Sequence, residues 1–220
     1  MKFFKHSLAG LALALAAAGA AHAAPTISYG ALPGAGTYYG SGNFDANWTV
    51  GQENGIILGL GFKDRATFAL LDGSTGTYYV DLGTYAGGNG KQHLSYQFSA
   101  EGAAGTVYSL CVDHDPTAGV SATCVNPATY WNDNYHAAGS PATTLQNSEN
   151  VGFADTPGGA FNPAQFGLYT FTLSAFTANG ALLDSVSALV QVGEVPEPGS
   201  LALLGVGLAG VLAMRRRKPA

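Results

Sequence analysis

The sequence predicts an all-β chain, an antiparallel β-sandwich of immunoglobulin-like or jelly-roll-like kind, set between a signal peptide and a short C-terminal transmembrane helix. Three observations lead there. Several segments between residues 24 and 194 alternate apolar and polar side chains with a period of two. No stretch of that region keeps a helical period. The two ends are apolar runs flanked by positive charge, unlike anything between them.

Residues 1–23 have the layout of a secretory signal. Lys2, Lys5 and His6 form a positive start, and residues 8–21 are an apolar run too short to span a bilayer comfortably. Ala21-His22-Ala23 places small residues one and three positions before a break, as signal peptidase requires, and Pro25 follows.

Residues 24–194 form one unit, long enough for a domain with its own core. Ile56, Ile57, Leu58, Leu60 and Phe62 make an apolar run broken by glycines. Thr77-Tyr78-Tyr79-Val80-Asp81-Leu82 follows the turn signal Asp72-Gly73-Ser74-Thr75-Gly76. Leu94, Tyr96 and Phe98 alternate with Ser95, Gln97 and Ser99, and Tyr108, Leu110 and Val112 alternate with Ser109 and Cys111. Tyr169, Phe171 and Leu173 alternate with Thr170, Thr172 and Ser174, and Val186, Ala188, Val190 and Val192 close the series. In each, one face is expected in the core and the other on the surface. Asn179-Gly180 is a hairpin signal with positive φ expected at both positions. Residues 126–163 are polar and aromatic, and one short strand is expected near residues 151–153. Connections this long are often binding loops.

Residues 195–220 form a third unit. The prolines of Val195-Pro196-Glu197-Pro198 keep it extended. Residues 200–214 are apolar and uncharged; as a helix they rise about 22 Å, against a hydrocarbon core of about 30 Å. Arg215, Arg216, Arg217 and Lys218 stop the run, and their snorkelling narrows the gap. The positive-inside rule places this tail in the cytoplasm and residues 24–194 outside.

This terminus resembles the PEP-CTERM sorting signal of Gram-negative, matrix-forming bacteria. The resemblance rests on Val195, Pro196, Glu197 and Pro198, on the short apolar helix, and on Arg215, Arg216 and Arg217, in that order. It implies recognition by exosortase, a membrane-embedded cysteine transpeptidase, after transient anchoring in the inner membrane. Delivery to the cell surface or an extracellular polysaccharide matrix follows from it. The middle is similar to a group of uncharacterised PEP-CTERM ectodomains, on Val112-Asp113-His114-Asp115-Pro116, Gln146-Asn147-Ser148-Glu149-Asn150-Val151-Gly152-Phe153, Phe161-Asn162-Pro163 and Gly167-Leu168-Tyr169-Thr170-Phe171-Thr172-Leu173. That similarity implies a shared β-sandwich and no known activity.

Other candidates for chemistry are few. Cys111 and Cys124, the only cysteines, suit a disulfide in an exported chain, with free thiols as the other reading. Asp113 and Asp115 have the alternate spacing that can offer carboxylate oxygens to Ca²⁺. The same Asp-x-Asp-Pro is a common turn. Tyr130, Trp131 and Tyr135 can stack on sugar rings, or cap one end of the core. His93 is expected on a strand surface. No nucleophile-elbow, zinc-protease, P-loop or dinucleotide motif occurs. No cofactor is therefore expected apart from that Ca²⁺ reading, and no enzyme activity. The principal expectation is a structural or adhesive protein. The alternative is a carbohydrate-binding module or carbohydrate-active enzyme using the loop 130–135.

Charge narrows the partners. The whole chain carries 9 basic and 14 acidic side chains. Residues 24–195 keep only Lys63, Arg65 and Lys91 against 13 acidic groups, so 3 − 13 = −10. Such a surface excludes nucleic acid and does not attract anionic polysaccharide directly.

Overall fold

The computed structural model describes residues 26–33, 46–85, 90–117, 119, 121–131 and 144–193. The expected signal peptide, the sorting residues, the apolar helix at 200–214, and Tyr135 all fall outside these. Among the described residues, no helix is long and apolar enough to cross a membrane.

Among the described residues, ten strands and one short helix follow in order: β1 (Thr26–Gly30), β2 (Trp48–Glu53), β3 (Ile56–Asp64), β4 (Thr77–Val80), β5 (Leu94–Glu101), β6 (Val107–Asp113), β7 (Ala122–Val125), α1 (Pro127–Tyr130), β8 (Leu145–Asn150), β9 (Gly167–Phe176) and β10 (Leu182–Val192). They form two five-stranded sheets, β1-β2-β3-β5-β8 and β4-β10-β9-β6-β7. β10 packs across onto β2 and β3, and β9 onto β3. One pair corrects the antiparallel expectation, because β4 runs parallel to β10. β4 and β10 are separated in the chain by β5 to β9, so no hairpin joins them and the pair is free to run parallel.

Alternation builds the core. β9 turns Tyr169, Phe171, Leu173 and Ala175 inward, β6 turns in Tyr108, Leu110 and Val112, and β10 Val186, Ala188 and Val190. They meet Ile56, Leu58, Leu60 and Phe62 of β3 and Leu94, Tyr96, Phe98 and Ala100 of β5. Each large side chain so buried is worth about 1.5–3 kcal/mol. Phe171 sits at the aromatic centre, its ring 5.1 Å from Phe62 and 5.2 Å from Tyr96. Tyr78 of β4 spans the sheets. Its hydroxyl donates to Asn47 O (3.0 Å) and lies 2.8 Å from Thr49 Oγ1, and burial holds its ionisation above the ordinary range.

The turns partly differ from expectation. At Asn179-Gly180 only the glycine takes positive φ (+83°). Thr177 O accepts from Gly180 N (2.9 Å) and Ala181 O from Thr177 N (2.8 Å), so this is a longer hairpin than a two-residue loop. The two-residue pattern occurs instead at Asn54-Gly55, with φ of +51° and +75°. It joins β2 to β3 with Glu53 opposite Ile56.

The largest correction concerns β5. Ser95, Gln97 and Ser99 were expected on the surface and are buried. The outward face of the first sheet is a second, partly polar layer. Gln146 Nε2 donates to Ser99 Oγ (2.9 Å) and Lys63 Nζ to Ser148 Oγ (3.2 Å). Glycine at position 61 is what lets Gln97 lie flat on β3, since a Cβ there would stand 2.5 Å from Gln97 Nε2. Trp48, Val50 and Leu32 continue this layer as an apolar patch packed with Ile57.

At the opposite hairpin end, Asp184 is 2% exposed and lies against Gly51. Burial, and then the Glu53 carboxylate, hold its carboxyl above the usual aspartate range despite the Ser185 N–H donated to it. A carboxyl with a raised folded-state value favours the fold most when protonated, and that contribution is lost as pH rises above the ordinary aspartate range. Asp184→Asn should therefore melt higher than wild type at pH 7, with the gap closing towards pH 4. A gap that stays constant across this window in thermal unfolding would contradict the assignment.

Candidate functional site

One end of the sandwich gathers the residues that the ectodomain resemblance quotes. It is formed by the last residues of β3, β4, β6, β8 and β10 and the first of β5 and β9. The chain leaves there. Gly193 N donates to Val80 O (2.8 Å), so the final described residue is pinned to β4.

Asn150 ends β8 and holds this end together. Its amide donates to Gln92 O (2.8 Å), Leu94 O (3.0 Å) and Ser95 Oγ (2.8 Å). Its carbonyl accepts from Gln92 N (2.8 Å) and Gly152 N (3.0 Å). Every hydrogen-bonding position of that amide is engaged inside the protein, which is how a buried asparagine is stabilised. Phe161 N donates to Val151 O (2.8 Å), and the Phe161 ring packs 4.8 Å from His114 and 4.7 Å from Tyr169. The strand expected near residues 151–153 is displaced to Leu145–Asn150, and 151–153 form a turn.

Asp113 and Asp115 lie in the β6–β7 hairpin. Asp113 is fully buried, and its Oδ1 accepts from Asp115 N (3.0 Å) and Ser121 N (2.7 Å). Asp115 Oδ1 accepts from Thr117 N (2.9 Å). The Thr117 hydroxyl and then its backbone N–H hold the pKa of Asp115 below the usual aspartate value. Both carboxylates thus brace a loop whose Pro116 O receives Leu168 N (3.1 Å) at the start of β9. Glycine is required at 167, because a Cβ there would collide with the Pro116 backbone. Just before that loop, Cys111 and Cys124 face each other across β6 and β7 and are joined as a disulfide, with Cα atoms 4.0 Å apart.

Tyr130 and Trp131 end α1, whose N-cap Asn126 accepts from Ala128 N (3.0 Å). Trp131 is only 6% exposed and packs with its ring 5.7 Å from Phe98, while Tyr130 is 43% exposed and stands edge-on to Trp131 at 4.8 Å. Trp131 therefore caps the core and offers no open stacking face. Among these two residues only Tyr130 is presented to solvent.

His93 is not a strand-surface residue. It precedes β5, and its Nδ1 lies 3.2 Å from Asp64 Oδ1 at the end of β3. Asp81, just after β4, completes a group whose ligand atoms all lie within 4.8 Å of one another. Period-two reading gave no signal for this group. Its members come from three separate segments, and only the pairing of β3 with β5 and the placing of β4 bring them together.

Residues 194–218 match the PEP-CTERM protein-sorting motif. The chain carries a PEP-CTERM sorting signal. The match begins at the residue after Gly193, which is pinned at the end of the sandwich that holds Asn150. PEP-CTERM signals mark exported proteins that are transiently anchored in the membrane and processed by exosortase. Neither a curated protein nor a solved structure matches the chain.

Proposed function

We propose that this PEP-CTERM protein is a non-enzymatic β-sandwich that exosortase delivers to the cell surface or extracellular polysaccharide matrix, where it serves a structural or adhesive role. The supporting observation is the position of the motif. The ten strands of the described residues end by Val192, and the matched segment starts at 194. A cut near residues 196–198 would leave each of these strands in place. The net −10 of residues 24–195 favours a matrix attachment through neutral sugars, a bridging cation or a covalent link over direct binding to an anionic polymer. The test is fractionation of the native host expressing a variant with alanine at Pro196, Glu197 and Pro198. The variant should accumulate in the inner membrane while wild type reaches the surface or medium. Equal delivery of both would sink the reading.

A further inference from the structure

We propose that Asp64, Asp81 and His93 bind one divalent ion of the zinc class and so clip the two sheets together at the end where the chain leaves. This does not depend on the sorting reading.

The donors come from both sides of the sandwich. Asp64 is the last residue of β3 and His93 immediately precedes β5, both in the first sheet, while Asp81 follows β4 at the edge of the second. One ligand atom from each lies within 4.8 Å of the other two. The Asp64 Oδ1 to His93 Nδ1 separation is 3.2 Å. Two ligands each about 2.0–2.1 Å from a tetrahedral ion stand about 3.3 Å apart, so this pair already has the spacing of adjacent zinc ligands.

The backbone fixes the imidazole between the two acidic segments. His93 O accepts from Arg65 N (2.7 Å), next to Asp64, and His93 N donates to Gly83 O (3.0 Å), two residues beyond Asp81. Thr84 and Gln92 form an isolated bridge that holds the same approach. The Tyr85 ring lies edge-on to the imidazole at 6.3 Å.

The charge balance asks for a cation. Two carboxylates are brought together, and the imidazole is the one basic group that pairs with either of them among the described residues. The nearby cations are engaged elsewhere. The Arg65 guanidinium lies 4.8 Å over the Phe68 ring, and Lys63 Nζ reaches Ser148. Asp81 is exposed and makes no side-chain hydrogen bond among the described residues. One imidazole nitrogen with two carboxylate oxygens suits zinc and similar borderline ions, and leaves coordination positions for water. Calcium prefers six to eight oxygens, more than this group supplies.

The experiment uses the full, tag-free chain in mild detergent, with thermal unfolding and isothermal titration against Zn²⁺ and, separately, Ca²⁺. Saturating Zn²⁺ should raise Tm by about 4 °C or more, since an ion that binds only the folded state stabilises it. Asp81→Ala removes an exposed side chain that makes no hydrogen bond among the described residues, so it should fold normally and lose that shift. His93→Ala should lose it as well. Co²⁺ should give a visible absorption band in wild type that both variants lack. No Tm shift with Zn²⁺, a shift that survives Asp81→Ala, or an equal shift with Ca²⁺ would overturn the proposal.

Discussion

Asp113→Ala should lower the unfolding free energy by about 2–4 kcal/mol, the cost of removing one charged acceptor from two backbone N–H groups. Asp113 Oδ1 is the partner of both Asp115 N and Ser121 N, so it closes the β6–β7 loop from its two sides. The same loop meets β9 through Pro116, where Leu168 N donates to Pro116 O (3.1 Å). Loosening it therefore reaches β9, the next strand of the same sheet, and not the hairpin alone. Asp113→Asn keeps an oxygen at the same place and should lose about 1 kcal/mol, the difference between a charged and a neutral acceptor. Urea unfolding of the three proteins measures this directly. If alanine and asparagine lose equally, the carboxylate's geometry is not what holds the loop.

The second large effect is expected at the disulfide. Cys111 and Cys124 are 13 residues apart, and closing a loop of that size contributes about 3 kcal/mol in the chain-entropy account. The double variant Cys111→Ala with Cys124→Ala should lose that much, and reductant should bring wild type to the same midpoint. Among the described residues β7 is a short edge strand paired with β6 alone, so it has little else to keep it in place. The bond and Asp113 restrain the same hairpin. Removing both should cost less than the two single losses added, because a frayed hairpin cannot be lost twice. A strictly additive triple variant would show that the two act on separate parts of the fold.

Strands whose inner face is apolar could be read from the sequence: β3, β4, β5, β6, β9 and β10 all follow segments where Leu, Val, Tyr or Phe recur at alternate positions. β8 could not. Leu145-Gln146-Asn147-Ser148-Glu149-Asn150 is almost wholly polar, yet most of it is buried. Its burial is sustained by hydrogen bonds such as Gln146 to Ser99 and Asn150 to Ser95, and a periodicity built on hydrophobicity has no term for these. β2 carries a usable signal, the Asn54-Gly55 turn after Trp48-Thr49-Val50. The polar half of β5 misled for a related reason. Alternation says which residues face the core but not whether the other face is covered, and here Gly59 on β3 makes room for Leu32 to lie over the sheet while Gly61 lets Gln97 fold down onto it.

The acidic turn was legible as a motif, whereas the backbone N–H groups that Asp113 and Asp115 accept from were not, because they depend on the path of the loop. The Asp64, Asp81 and His93 group was not legible at all. Asp64 and His93 are neighbours because β3 pairs with β5, with Asp64 opposite Leu94. Asp81 joins them through the parallel β4–β10 pair, the feature of the topology that ran against expectation. Lys63 likewise looked like one of three scattered surface cations. It is buried, and that burial, with Arg65 second, pushes its ammonium down to about 8.

The central claim is that the sandwich is a passenger and residues 194–218 its address. The most direct test is the intact mass of the protein recovered from the surface or medium of its native host, compared with that from a strain lacking exosortase. Exosortase processing predicts a mature C-terminus near residues 196–198 in the first and a retained Arg215-Arg216-Arg217 in the second. Surface protein that still carries Arg215 in the first strain would contradict it.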